Sequence, residues 1–142
     1  MAEPEPAGGT VHRTSVRVRY AETDQQGVAY HAHYLVWMEV GRTAFLEALG
    51  FPYRRLEEEG VLFSVVDASC RYLDPARYAD RVEIATRVTE LRSRTVVFGY
   101  EMTANGRTAA RGETRLVALG KDRRPRRIPV EIEGALRRAV DR

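Results

Sequence analysis

From Thr14 the chain alternates, with Val16, Val18 and Tyr20 on one side and Arg17 and Arg19 on the other, the period of a half-buried strand. The polar stretch Ala21 to Gly27 then reads as a loop. After it the period changes. Between about Ala32 and Leu49, polar residues recur only as a narrow stripe (Glu39, Arg42, Thr43, Glu47), while Tyr34, Leu35, Val36, Trp37, Met38, Phe45 and Leu49 fill most of the remaining circumference. Such a pattern predicts a long helix that is largely buried, ended by Gly50 and Pro52. Tyr53 to Glu59 adds a short helical turn before Gly60.

Beyond Gly60 the two-residue period returns. Val61 to Tyr72, Arg81 to Thr89, Thr95 to Ala104 and Thr108 to Leu119 each read as strand, and Asn105-Gly106 between the last two is a strong hairpin signal. On the last strand Ala110, Gly112 and Thr114 share one face, small enough to leave room for a bulky helix. Glu131 to Val140 closes the pattern as a short helix with Ile132, Leu136 and Val140 on one side. One strand, one buried helix and about four further strands in succession is the order of an antiparallel sheet covering a helix, so the class is α+β. A sheet of this kind has free edges, and edges invite a second copy.

Composition narrows the chemistry. The 142 residues hold 44% hydrophobic and 30% charged side chains, the make-up of a single folded domain over residues 13–142, with residues 1–12 expected as a flexible leader. The net charge is +3, and the basic cluster Lys121 to Arg127 lacks interleaved aromatics, so nucleic acid is not an expected partner. Lys121 is the only lysine, which argues against Schiff-base chemistry. The one cysteine, Cys70, has no internal partner for a disulfide and is expected to pack in the core or at an interface; a cytoplasmic setting is expected, with no transmembrane segment. Nucleophile-elbow, phosphate-loop, dinucleotide and HExxH motifs are missing.

What remains is the loop between the first strand and the helix, where Glu22, Asp24, Gly27, His31 and His33 fall within twelve residues. The first N–H groups of a helix lack intrahelical partners and sit at the positive end of its dipole. A carboxylate beside them can attack, or activate water against, a carbonyl whose oxygen those groups hold. Asp24 is placed for that role, and equally for capping a turn.

The stretch YAETDQQGVAYHAHYLVWMEVGR, Tyr20 to Arg42, resembles the signature of hotdog-fold acyl-CoA thioesterases of the 4-hydroxybenzoyl-CoA thioesterase type. The bacterial branch associated with the Tol-Pal system is the most similar. The order of elements from Thr14 to about Leu119 agrees with that fold. The resemblance implies Asp24 as nucleophile or general base toward the thioester and the His31 backbone N–H as the donor to its carbonyl. It implies Gly27, Tyr30, Arg92 and Arg94 as substrate contacts, the two arginines on the phosphates of coenzyme A. It further implies an acyl-CoA substrate, no metal or other cofactor, and a homodimer joined sheet edge to sheet edge, or a homotetramer built from two such dimers. His33, Gln25 and Gln26 depart from the residues usual in that family and leave the acyl preference open. A thiolate leaves readily, its pKa being about 8.5, so one carboxylate and one N–H can suffice.

Three other readings are carried forward. His31 and His33 with Glu22 or Asp24 form a conceivable metal site, though alternate positions entering a helix point apart. Another hotdog branch that this chain resembles uses a helix carboxylate, which implies Glu39 as a fallback base, with Arg42 at i+3 as its expected ion-pair partner. A non-catalytic acyl-CoA binding module is the alternative of a different class.

Overall fold

The computed structural model describes residues 9–140, so most of the expected leader, residues 1–8, lies outside the described residues. The first strand begins earlier than its alternation suggests: β1 is His12–Arg17, and the Thr10 N–H already donates to the Ala139 carbonyl. The long helix follows as α1, His33–Ala48, and the short one as α2, Tyr53–Glu58. Strands β2 (Leu62–Tyr72), β3 (Arg81–Leu91), β4 (Thr95–Ala104) and β5 (Arg107–Leu119) come next, then α3, Val130–Ala139.

The five strands form one antiparallel sheet in the order β1-β3-β4-β5-β2. The β4–β5 turn is the one the Asn-Gly pair predicts, with Asn105 and Gly106 at φ of 54° and 74°. Val82, Ile84 and Val88 of β3 and Val96, Phe98, Tyr100 and Met102 of β4 point inward and are buried, as their alternation requires. Against them α1 lays Tyr34, Trp37, Met38, Gly41, Phe45 and Leu46, a stripe at helical spacing. Burial of large side chains such as Trp37, Met38 and Phe45 contributes roughly 1.5–3 kcal/mol each.

The helix lies close to the sheet because small residues meet at the contact. A Cβ at Gly41 would stand 2.7 Å from the Ile84 side chain, and one at Gly112 would meet the Met38 side chain and, at 2.6 Å, the Ser69 carbonyl oxygen. The small inward face of β5 thus receives Met38, which is fully buried.

Two expectations are corrected. Tyr20 was expected on the inward face of the first strand; it instead opens a 3-10 turn, Tyr20–Glu22, and is 77% exposed. The strand ends at Arg17 because Val18 turns off to bond with Ala79 and Asp80. Nor is α1 buried around its circumference: Leu35, Val36 and Val40 remain exposed, since one sheet covers only one side of a helix.

The close seating yields a stability test. Gly112→Ala forces Met38 or the β2 backbone to shift, so it should destabilise the fold by about 1–3 kcal/mol, read as a lower urea midpoint at unchanged slope.

Candidate active site

The loop after β1 is a small hairpin. Thr23 bridges to Ala29, the Asp24 N–H donates to the Val28 carbonyl at 2.9 Å, and Gly27 takes the tip with φ of +80°, which favours glycine. Val28 bridges to Arg77 and the Ala29 N–H donates to Ala76, tying the hairpin to the β2–β3 connection.

Asp24 uses one carboxylate oxygen to hold its own turn. Oδ1 accepts from the Gln26 N–H at 2.8 Å and the Val28 N–H at 3.4 Å. Among the described residues Oδ2 has no hydrogen-bond partner and Asp24 enters no salt bridge, so the half-buried carboxylate keeps an oxygen for chemistry. It lines two adjoining clefts. One is open and shared with Tyr20, Tyr30 and His33; the other is shared with His31, Tyr34 and Tyr72.

His31 stands in the turn just before α1. Among the described residues its backbone N–H has no acceptor, whereas the His33, Tyr34 and Leu35 N–H groups that follow already donate to the Tyr30, His31 and Ala32 carbonyls. The His31 carbonyl is fixed from elsewhere: the Tyr72 hydroxyl, at the far end of β2 in sequence, donates to it at 2.9 Å. Desolvation and the neighbouring Cys70 and Tyr34 push that hydroxyl up to about 12, so it stays a donor. The Tyr34 hydroxyl in turn accepts from the Ala76 N–H at 3.1 Å.

Glu22 is the buried anchor of the loop, 5% exposed. Its carboxylate accepts from the Arg19 N–H at 2.8 Å and the Trp37 indole N–H at 3.3 Å, and its backbone carbonyl accepts from the Tyr30 N–H at 2.7 Å. Burial pushes the carboxyl up, but the Arg19 N–H, the Trp37 indole and the Arg19 guanidinium outweigh it and hold the group below the usual glutamate range. Glu22 therefore joins the loop carrying Asp24 to the first turns of α1. The sequence pattern places Glu22 among the loop's polar residues and in a conceivable metal set, and Tyr72 only at the end of a strand. The alternation of β2 carries no hint of the loop it would touch.

The other expected residues divide. Tyr30 is exposed on the open cleft, its ring 4.4 Å from that of His31, whereas Gly27 shapes the turn and lines neither cleft. Arg92 and Arg94 are not brought to Asp24 within the chain. They lie in the β3–β4 turn, at the opposite end of the sheet, and an eleven-residue strand separates the two ends by roughly 33 Å. Arg42 does not pair with Glu39; its guanidinium turns to the Tyr100 hydroxyl, and Glu39 has no ion-pair partner among the described residues. His33 sits partly exposed, with Nδ1 3.9 Å from the Glu22 carboxylate. Among the described residues no group of three or more His, Cys, Asp or Glu is arranged to hold a metal ion.

Comparison with known proteins decides the family. The model of the thioesterase-like superfamily matches residues 18–139, nearly the whole domain. The chain belongs to that superfamily. Its sheet and central helix are the hotdog fold. Among its relatives, YneP of Bacillus subtilis is 46% identical over 92 residues, covering 65% of this chain and 67% of that protein. The acyl-CoA thioester hydrolase YbgC of Escherichia coli is 34% identical over 126 residues, covering 87% and 93%, in keeping with the Tol-Pal-associated branch. The solved DHNA-CoA thioesterase of Staphylococcus aureus superposes with a TM-score of 0.79 at 34% identity, covering 82% of this chain and 80% of that one. No helix among the described residues is long and apolar enough to cross a membrane.

The Glu22 anchor has a pH signature. Its folded-state value lies below the unfolded one, so the carboxylate contributes stability above about pH 4.3, and that contribution fades as pH falls toward the folded value. Glu22→Gln should cost about 1–3 kcal/mol at neutral pH, and its Tm should fall less steeply than that of the parent between about pH 5 and pH 3.

Proposed function

We propose that this protein hydrolyses acyl-CoA thioesters, with Asp24 as nucleophile or general base and the His31 N–H holding the thioester carbonyl oxygen. One observation carries the assignment: Asp24 and His31 line one cleft at the start of α1, and a carboxylate oxygen of the one and the backbone N–H of the other have no partners among the described residues. The names of relatives such as YbgC support the substrate class.

As general base, Asp24 takes a proton from water while the water oxygen bonds to the carbonyl carbon; the tetrahedral oxyanion is held by the His31 N–H, and its collapse expels the thiolate of coenzyme A. As nucleophile, Asp24 itself bonds to that carbon, expels the thiolate and leaves an acyl anhydride that water then cleaves. Either course is served by this chain's own groups and calls for no cofactor. Tyr72 and Glu22 touch no reacting atom; they hold His31 and the Asp24 hairpin in register.

The reading includes a homodimer. β1 offers a six-residue edge rich in polar side chains, whereas β2 offers eleven residues with Val65 and Val66 exposed, 42% and 58%. A two-fold axis through the middle of β2 makes the paired edges antiparallel. The Leu62 end of one protomer then meets the partner's Tyr72 and, with it, the partner's Asp24 cleft. The same operation carries Arg92 and Arg94 to the end of the sheet where the partner's thioester is cleaved, a position suited to coenzyme A phosphates. Pairing of two such dimers would give the tetramer.

Asp24→Asn should lower kcat by about 10²–10⁴-fold with little change in KM, measured by free-thiol release. An equal loss in Glu39→Gln, with Asp24→Asn active, would move the base to α1. Val66→Arg should shift the protein from dimer to monomer in sedimentation and abolish turnover with it.

A further inference from the structure

A cavity of about 160 Å³ lies between α1, α2 and the Leu62 end of the sheet. Its wall is apolar and buried: Leu46, Val61, Phe98 and Leu136 line it, each at most 8% exposed. At its mouth Glu39 and Thr43 of α1 are exposed beside Leu62 and Phe63 of the β2 edge, and the half-buried Arg42 also lines it, with its guanidinium turned to the Tyr100 hydroxyl. Within one chain this mouth and Asp24 stand at opposite ends of β2. Across the β2 two-fold they adjoin, because Leu62 of one protomer faces the partner's Tyr72, whose hydroxyl is bonded to the turn before α1.

We propose that this cavity receives the acyl group of the thioester cleaved at the partner's Asp24, and that it selects an apolar acyl group of about six carbons with no polar substituent at its far end. The inference rests on the acyl-CoA reading and on the β2 dimer, and adds to them the substrate class.

Size sets the upper limit. An apolar protein cavity of about 150 Å³ holds one benzene ring, six carbons. A cavity of about 160 Å³ therefore takes a benzoyl ring or a hexanoyl chain and excludes a two-ring aroyl group or a long fatty acyl chain. Each methylene that enters leaves water for an apolar wall, which corresponds to about fourfold in kcat/KM until the space is full. Chemistry sets the second limit. A hydroxyl at the distal end of the ring would lie among Leu46, Phe98 and Leu136, where no side chain accepts its hydrogen bond. An apolar pocket disfavours an added hydroxyl by up to about a hundredfold. The geometry thus favours benzoyl over 4-hydroxybenzoyl thioesters.

The test is a kcat/KM series over acetyl-, butyryl-, hexanoyl-, octanoyl-, decanoyl-, benzoyl- and 4-hydroxybenzoyl-CoA. The expected profile rises about fourfold per methylene to a maximum near six carbons, falls by decanoyl, and places 4-hydroxybenzoyl at least about tenfold below benzoyl. Leu136→Ala deepens the cavity and should move the optimum to octanoyl, a gain that misfolding cannot produce. Val61→Phe fills it and should lower the hexanoyl-to-acetyl ratio by about tenfold or more. No turnover of any thioester by the wild-type dimer would overturn the acyl-CoA reading itself. Turnover with a chain-length profile that neither variant moves, or with 4-hydroxybenzoyl preferred to benzoyl, would overturn the cavity assignment and leave that reading standing.

Discussion

The distance at which α1 settles on the sheet governs everything placed at its ends. Met38 sits over Gly112 and the Gly41 backbone sits over Ile84 and Thr86, so two glycines, one on each partner, set how near the helix axis comes. A larger side chain at either position would lift the helix, and in a close-packed interior that displacement is transmitted rather than absorbed. The N-terminus of α1 is thereby delivered against the hairpin that follows β1. Trp37, in the second turn, is held where its indole reaches Glu22.

That second contact turns a packing arrangement into a chemical one. A hairpin of seven residues, Thr23 to Ala29, has few contacts of its own, and Asp24 spends one oxygen on its turn. Glu22 supplies the rigidity by being ionised, buried and bonded to both neighbours, and a buried charge of this kind tolerates few other positions. Tyr72 does the equivalent for His31 from across the sheet. Asp24 and His31 are thus each restrained by a neighbouring residue, while one Asp24 oxygen and the His31 N–H stay without partners among the described residues, the arrangement that the proposed thioester hydrolysis calls for.

The surfaces left apolar have a common logic. Leu35, Val36 and Val40 on α1, with Val65 and Val66 on β2, lie beyond what one five-stranded sheet can cover. The pattern of residues 32–49 states only that these side chains avoid water; it carries no information on whether the same chain or a second copy supplies the cover. The same ambiguity explains Arg42. Helical spacing puts it next to Glu39, but its guanidinium turns inward to the Tyr100 hydroxyl of β4 instead.

Local periodicity was enough to determine the class, the order of elements, the Asn-Gly hairpin and the density of polar groups around Asp24. Each of these depends on residues within a few positions of one another, where backbone period and turn chemistry act directly. The tertiary structure alone decided that Tyr20 leaves the sheet, that Glu22 anchors the loop through Trp37, that Tyr72 reaches His31, and that Arg92 and Arg94 stand at the far end from Asp24. Those pairings join positions separated by turns of the chain. Which of many possible contacts forms there depends on how strands register and how closely the helix sits, not on any spacing that can be read along the sequence.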